Sequence, residues 1–118
     1  TGKPHQEIVS INALFNGKNK LRQRSSINTI FYAMVYRAAF GCKTQPALYF
    51  VRNMVDEEYC ELLTLNKVKI EQYDSIREEY EHEVVCKLEE MFNRDIPFTQ
   101  IDDIDACEWC DFKSICQR

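Results

Sequence analysis

The apolar residues of the chain fall into a few patterned runs separated by polar ones. In "SSINTIFYAMVYRAAFG", Ile27, Ile30, Phe31, Met34, Val35 and Ala38 recur at steps of three and four. That is the period of a helix with one buried stripe. Ser25 or Ser26 is placed to cap it and Gly41 to stop it, so a helix is predicted over 26–40. Asn28, Tyr32 and Tyr36 form a second stripe beside the first. Further on, Ser75 and Glu78 make an S-x-x-E capping box that opens a long helix over 75–93, with Ile76, Tyr80, Val84, Leu88 and Phe92 inward. Its other positions are dense in Glu and Lys, as on a solvated side, and Pro97 prevents continuation. "SINALFNG" predicts a short helix capped by Ser10 and ended by Gly17, with Leu14 and Phe15 facing a core. "PALYFVRN" is short, apolar and aromatic and predicts a strand at 47–52. "KVKIEQY" (67–73) alternates and predicts a second. Residues 53–66 carry no clear period. The sum is an α+β fold: two main helices on a small sheet that includes 47–52, in one domain over 1–118 with a tail at 101–118.

Bulk properties narrow the class. A chain of 118 residues with 45% hydrophobic content can build one ordinary core. Its net charge of −4 disfavours a surface that grips nucleic acid all over. Lys18, Lys20, Arg22 and Arg24 nonetheless alternate in "KNKLRQRSS". That strip reads first as a solvated loop and second as a set of phosphate contacts. No apolar run approaches a membrane span, so no membrane partner is expected. The opening "TGKPHQEIV" has no initiator Met and suggests a piece of something longer.

Six cysteines are present beside only three Gly and three Pro. The turn-rich look of a secreted disulfide scaffold is missing, which points to a reduced, intracellular protein. Cys42, Cys60 and Cys86 are scattered singly. Cys107, Cys110 and Cys116 are not: "CEWCDFKSIC" spaces them C-x2-C-x5-C. One turn brings Cys107 and Cys110 together and a second brings Cys116, while Trp109, Phe112 and Ile115 are placed to wall off solvent. Deprotonated sulfur in that pattern suits zinc or an iron–sulfur cluster. A fourth ligand is wanted. Cys42, Cys60, Cys86 or His82 is a candidate, as is a group outside the chain; the bland alternative is three unrelated thiols.

The segment "IPFTQIDDIDACEWCDFKSICQR" resembles the C-terminal end of RecB-like nucleases of the PD-(D/E)XK superfamily. The relatives meant are the iron–sulfur nuclease domain of AddB helicase-nucleases and the CRISPR-associated exonucleases. Two other places agree. "TGKP" resembles the sequence that follows the family's last acidic motif, as in D-Y-K-T-G. "NTIFY" resembles its Q-x-x-x-Y helix, with Asn28 in place of Gln and Tyr32 as the Tyr. The resemblance implies a 4Fe–4S cluster, with zinc as the alternative. Cys107, Cys110 and Cys116 would be three of its ligands, and an upstream cysteine outside this chain the fourth. It implies Asn28 and Tyr32 as supporting rather than catalytic residues. The catalytic Asp and (D/E)-x-K group, with its Mg²⁺ or Mn²⁺, would precede Thr1. Asp102, Asp103 and Asp105 have no lysine arranged with them and read as a solvated linker. The implied parent is a cytoplasmic DNA repair or recombination exonuclease, with DNA and a helicase domain or subunit as partners. A zinc-binding module or a plain α+β protein-interaction module is the competing expectation.

If all four residues of the basic strip sit on duplex phosphates, log K for DNA falls with log salt at a slope of about −3.6, from about −0.9 per phosphate. A filter-binding salt series measures it. Affinity unchanged after Ala replacement of Lys18, Lys20, Arg22 and Arg24 would remove the strip from the interface.

Overall fold

The computed structural model describes residues 7–17, 23–51, 55, 59–102, 104–108 and 110–117. Ser10 is extended, and its hydroxyl accepts a hydrogen bond from the Ala13 amide at 3.1 Å. This caps α1 (Ile11–Asn16), which Gly17 ends. Ile11 and Leu14 are buried, and Phe15 packs against the core's edge.

β1 (Glu7–Ile8) runs parallel to β2 (Thr64–Leu65), and β2 turns back antiparallel into β3 (Val68–Lys69), giving the order β1-β2-β3. The two-residue turn between β2 and β3 holds Asn66 at φ 51° and Lys67 at φ 66°. Two left-handed residues in succession match the twist of a tight hairpin.

Among the described residues, 47–51 are not part of the sheet. There the backbone makes one antiparallel bridge, Ala47 to Leu62, and the Leu48 amide donates to the Glu61 carbonyl at 2.8 Å. The Tyr59 hydroxyl then accepts from the Phe50 amide at 2.7 Å and donates to the Leu48 carbonyl at 2.8 Å. One phenol satisfies backbone groups that a neighbouring strand would otherwise pair. Arg52, the last residue of the predicted strand, lies outside the described residues. Of the predicted 67–73 strand, Val68 and Lys69 are in the sheet.

α2 (Arg24–Phe40) matches the predicted 26–40 helix, and Gly41 closes it in the left-handed region at φ 67°. Neither serine caps it. Gln23 precedes the first turn, the buried Ser26 hydroxyl donates to Gln23 Oε1 at 2.9 Å, and the Gln23 amide donates to the Glu7 carbonyl. The start of α2 is thereby tied to β1.

The buried line of α2 is Ser26, Ile30 and Ala33, with Ile27 and Met34 half-buried beside it. Phe31, Val35 and Ala38 are exposed, so the helix is rotated by roughly a quarter turn from the predicted stripe, at 3.6 residues per turn. The physical reason is bulk. Tyr73 and Tyr80 fill the core, and α2 turns its small Ser26 and Ala33 inward beside Ile30.

A single 3-10 turn (Tyr73–Ser75) leads into α3 (Arg77–Phe92). The predicted capping box does not form, because the Ser75 hydroxyl donates to the Gln72 carbonyl at 2.8 Å within that turn. Glu78 and Glu79 still lie in the first turn, where the helix dipole favours them. Ile76 and Tyr80 are buried and Val84 half-buried, as expected. Leu88 and Phe92 are not inward: they are 46% and 79% exposed. α1 and α2 cover only the first half of α3, and the second half runs past the core.

Tyr80 binds the layers together. Its hydroxyl donates to the Ile27 carbonyl at 2.8 Å. Burial pushes its phenol up to about 12. Tyr73 is raised too, first by burial and then by its bond to Glu81. Both hydroxyls stay protonated donors through the neutral range. Asn12 and Asn16 of α1 donate to the two carboxylate oxygens of Glu83 on α3, at 2.8 and 3.3 Å. Arg37 pairs with Asp74 at 3.1 Å. Among the described residues, no helix is long and apolar enough to cross a membrane.

Ile30→Ala is expected to cost about 2–5 kcal/mol, since Ile30 is fully buried. Leu88→Ala should stay within about 0.5 kcal/mol. Denaturant titrations of both variants check the pair, and equal losses would contradict this placement of α3.

Candidate functional site

The sequence nominates two sets of residues, one on α2 and one in the tail. On α2, Arg24, Asn28 and Tyr32 follow one another at single-turn spacing. All three are exposed, on the face turned away from Ile30 and Ala33. Tyr32 is 69% exposed. One turn further, the rings of Tyr36 and Phe40 contact at 4.6 Å between centroids. The resulting face offers a cation, an amide, a phenol and a pair of aromatic rings. Those groups match what phosphates and bases accept: charge and hydrogen bonds for the backbone, flat apolar surface for the bases. Lys18, Lys20 and Arg22 lie outside the described residues, so of the basic strip only Arg24 is placed, at the first residue of α2.

The tail is built from successive turns. A 3-10 turn (Ile104–Cys107) ends at the first cysteine. The Cys110 amide donates to the Cys107 carbonyl at 3.2 Å, and the Cys116 amide to the Phe112 carbonyl at 3.3 Å. The Gln100 side-chain amide donates to the Cys116 carbonyl at 3.2 Å and ties the end of the tail to its beginning. Cys107, Cys110 and Cys116 are half-buried free thiols. In donor chemistry they fit a thiolate-bound metal centre. Their placement is looser than such a centre: among the described residues, no three His, Cys, Asp or Glu side chains are gathered to hold an ion. The expected apolar wall is also different. Phe112 and Ile115 face solvent at 66% and 77% exposure, while Trp109, like Asp103, lies outside the described residues. A tail of this length has too little chain around it to bury two such side chains.

None of the alternative fourth ligands has joined the tail cysteines in such a group. Cys42 and Cys86 are exposed and Cys60 is half-buried. His82 has a different neighbour: Cys86 Sγ, at 3.8 Å from Nδ1 and 3.7 Å from Nε2. This pair was not anticipated from the sequence, although a four-residue spacing within a predicted helix is the signal that finds it.

A family model described as the PD-(D/E)XK nuclease superfamily matches residues 14–117. The match takes in α2, the whole of α3 and all three tail cysteines. No curated protein and no solved structure matches the chain.

Asn28→Ala and Tyr32→Ala should each leave thermal stability within about 0.5 kcal/mol, as substitutions on exposed surface do. Thermal melts followed by circular dichroism check this. A large loss in either variant would mean that these side chains hold the fold and are not free to meet a ligand.

Proposed function

The chain belongs to the PD-(D/E)XK nuclease superfamily, and we propose that it forms the C-terminal portion of a DNA repair or recombination nuclease domain of RecB-like type. The family match from residue 14 to residue 117 carries this reading. The exposed line Arg24, Asn28 and Tyr32 supports it in particular.

In this role α2 is the helix that meets DNA. The Arg24 guanidinium neutralises a phosphate, and the Asn28 amide and Tyr32 hydroxyl donate to backbone oxygens that border the scissile bond. Asn28 is one methylene shorter than the Gln of the motif it resembles, so it reaches less far but keeps the amide donor. Lys18, Lys20 and Arg22 are the further phosphate contacts that the sequence nominates. The chain does not cleave DNA alone. The acidic and lysine residues that hold Mg²⁺ or Mn²⁺ come from outside it. A divalent ion held by those residues would supply polarisation of the scissile phosphate and activation of water.

Cys107, Cys110 and Cys116, as thiolates, would supply three of the ligands of a 4Fe–4S cluster, with the fourth cysteine from outside the chain. Such a cross-link closes a long loop, which restricts the unfolded chain more than the folded one. Its task is to pin the end of the nuclease domain. A helicase domain or subunit is the expected neighbour.

The purified chain, incubated with linear single- and double-stranded DNA and Mg²⁺ or Mn²⁺, tests the reading. The expected result is no degradation, with low-salt retention of DNA that weakens on Tyr32→Ala. Degradation that disappears on a point mutation within the chain would contradict it, and so would retention indifferent to Tyr32.

A further inference from the structure

Residues 82–86 read "HEVVC". The spacing is that of the zinc-protease helix H-E-x-x-H, with a thiol in place of the second imidazole. Four residues apart on one helix, the two donors lie one above the other on the same face. Here that face is solvent, opposite Tyr80, and both His82 and Cys86 are exposed. Cys86 Sγ stands 3.7–3.8 Å from the ring nitrogens of His82. In a tetrahedral zinc site, with Zn–S at about 2.3 Å and Zn–N at about 2.0–2.1 Å, the S···N edge is about 3.5 Å. Sγ lies almost equally far from both nitrogens, so neither ring lone pair faces it. Turning the exposed imidazole about its Cβ–Cγ bond brings one nitrogen round to the sulfur, within reach of the edge that a bound ion requires.

We propose that His82 and Cys86 form a two-point chelate for Zn²⁺, a metal site separate from the tail cysteines. Sulfur and imidazole select a borderline-soft divalent ion over Mg²⁺ or Ca²⁺. Among the described residues, no third donor joins them. Water completes the coordination. The site is not hydrolytic. Glu83 occupies the place of the general base in the H-E-x-x-H pattern, but it points the other way. Its two carboxylate oxygens accept from Asn12 and Asn16, so it is committed to holding α1 against α3. The chelate therefore binds a metal on the outer face of α3 without a base beside it.

Cobalt(II) tests the site as a spectroscopic substitute for zinc. The test uses the full chain with Cys107, Cys110 and Cys116 changed to Ser, so that the tail cannot contribute and its own role is not at stake. The expected result is one Co²⁺ per chain with a thiolate-to-cobalt absorption band, displaced by Zn²⁺. Cys86→Ser should abolish the band, and His82→Ala should weaken Zn²⁺ binding by at least about tenfold. Both side chains are exposed, so circular dichroism should show the variants folded. Absence of the band, or a band that survives Cys86→Ser in folded protein, would overturn the proposal. So would Zn²⁺ affinity unchanged by His82→Ala.

Discussion

The structure depends on where Tyr80 goes. Its ring is buried to 0% exposure on the first half of α3, with Phe15 of α1 at 5.5 Å and Tyr73 at 6.4 Å between centroids. Its hydroxyl reaches the Ile27 carbonyl on α2. One side chain so joins all three helices. A buried phenol must find a hydrogen-bond partner or lose on the order of 1–3 kcal/mol. The Ile27 bond meets that need and fixes how α2 sits against α3. The rings of Tyr73 and Tyr80 bring volume, and α2 answers with Ser26 and Ala33 rather than with Phe31 and Val35.

That rotation has a functional consequence. With Ile30 and Ala33 inward, Arg24, Asn28 and Tyr32 are carried to the opposite face, where no other element among the described residues covers them. The same packing exhausts itself at Val84. Beyond it α3 carries Leu88, Met91 and Phe92 outward, Phe98 follows, and the tail adds Phe112 and Ile115. The described core is thus concentrated around α1, the first half of α3, the inner face of α2 and the short sheet. The residues of most chemical interest lie outside that core, on α2's outer face and in the tail.

Much of this was legible in the sequence, and the reasons are local. Ser10, Gly17 and Gly41 act within a turn of themselves, and each marks a helix boundary where it was expected. The two long helices followed from apolar period together with end signals, and the α+β class from adding short strand-like runs to them. What was not legible depended on distant partners. Residues 47–52 have strand composition, but the Tyr59 hydroxyl takes up the Leu48 and Phe50 backbone groups. Ser75 has a capping sequence, but the Gln72 carbonyl is nearer at hand. The α2 stripe was chosen by hydrophobicity, whereas the fold chose by volume. Leu88 and Phe92 continue a helical pattern past the point where other elements are there to cover it. For the tail, spacing identified the three cysteines as a set, but sequence fixes neither their convergence nor the direction of Phe112 and Ile115.

Under the proposed function, α2 is held by its inner face and meets DNA with its outer one. Amide chemical shifts of the isotope-labelled chain, followed as a short DNA duplex is added at low salt, test it most directly. The expected result is that Arg24, Asn28 and Tyr32 shift together in proportion to bound DNA while Ile30 and Tyr80 stay in place. Shifts confined to α3, or an outer face of α2 that does not respond, would contradict it.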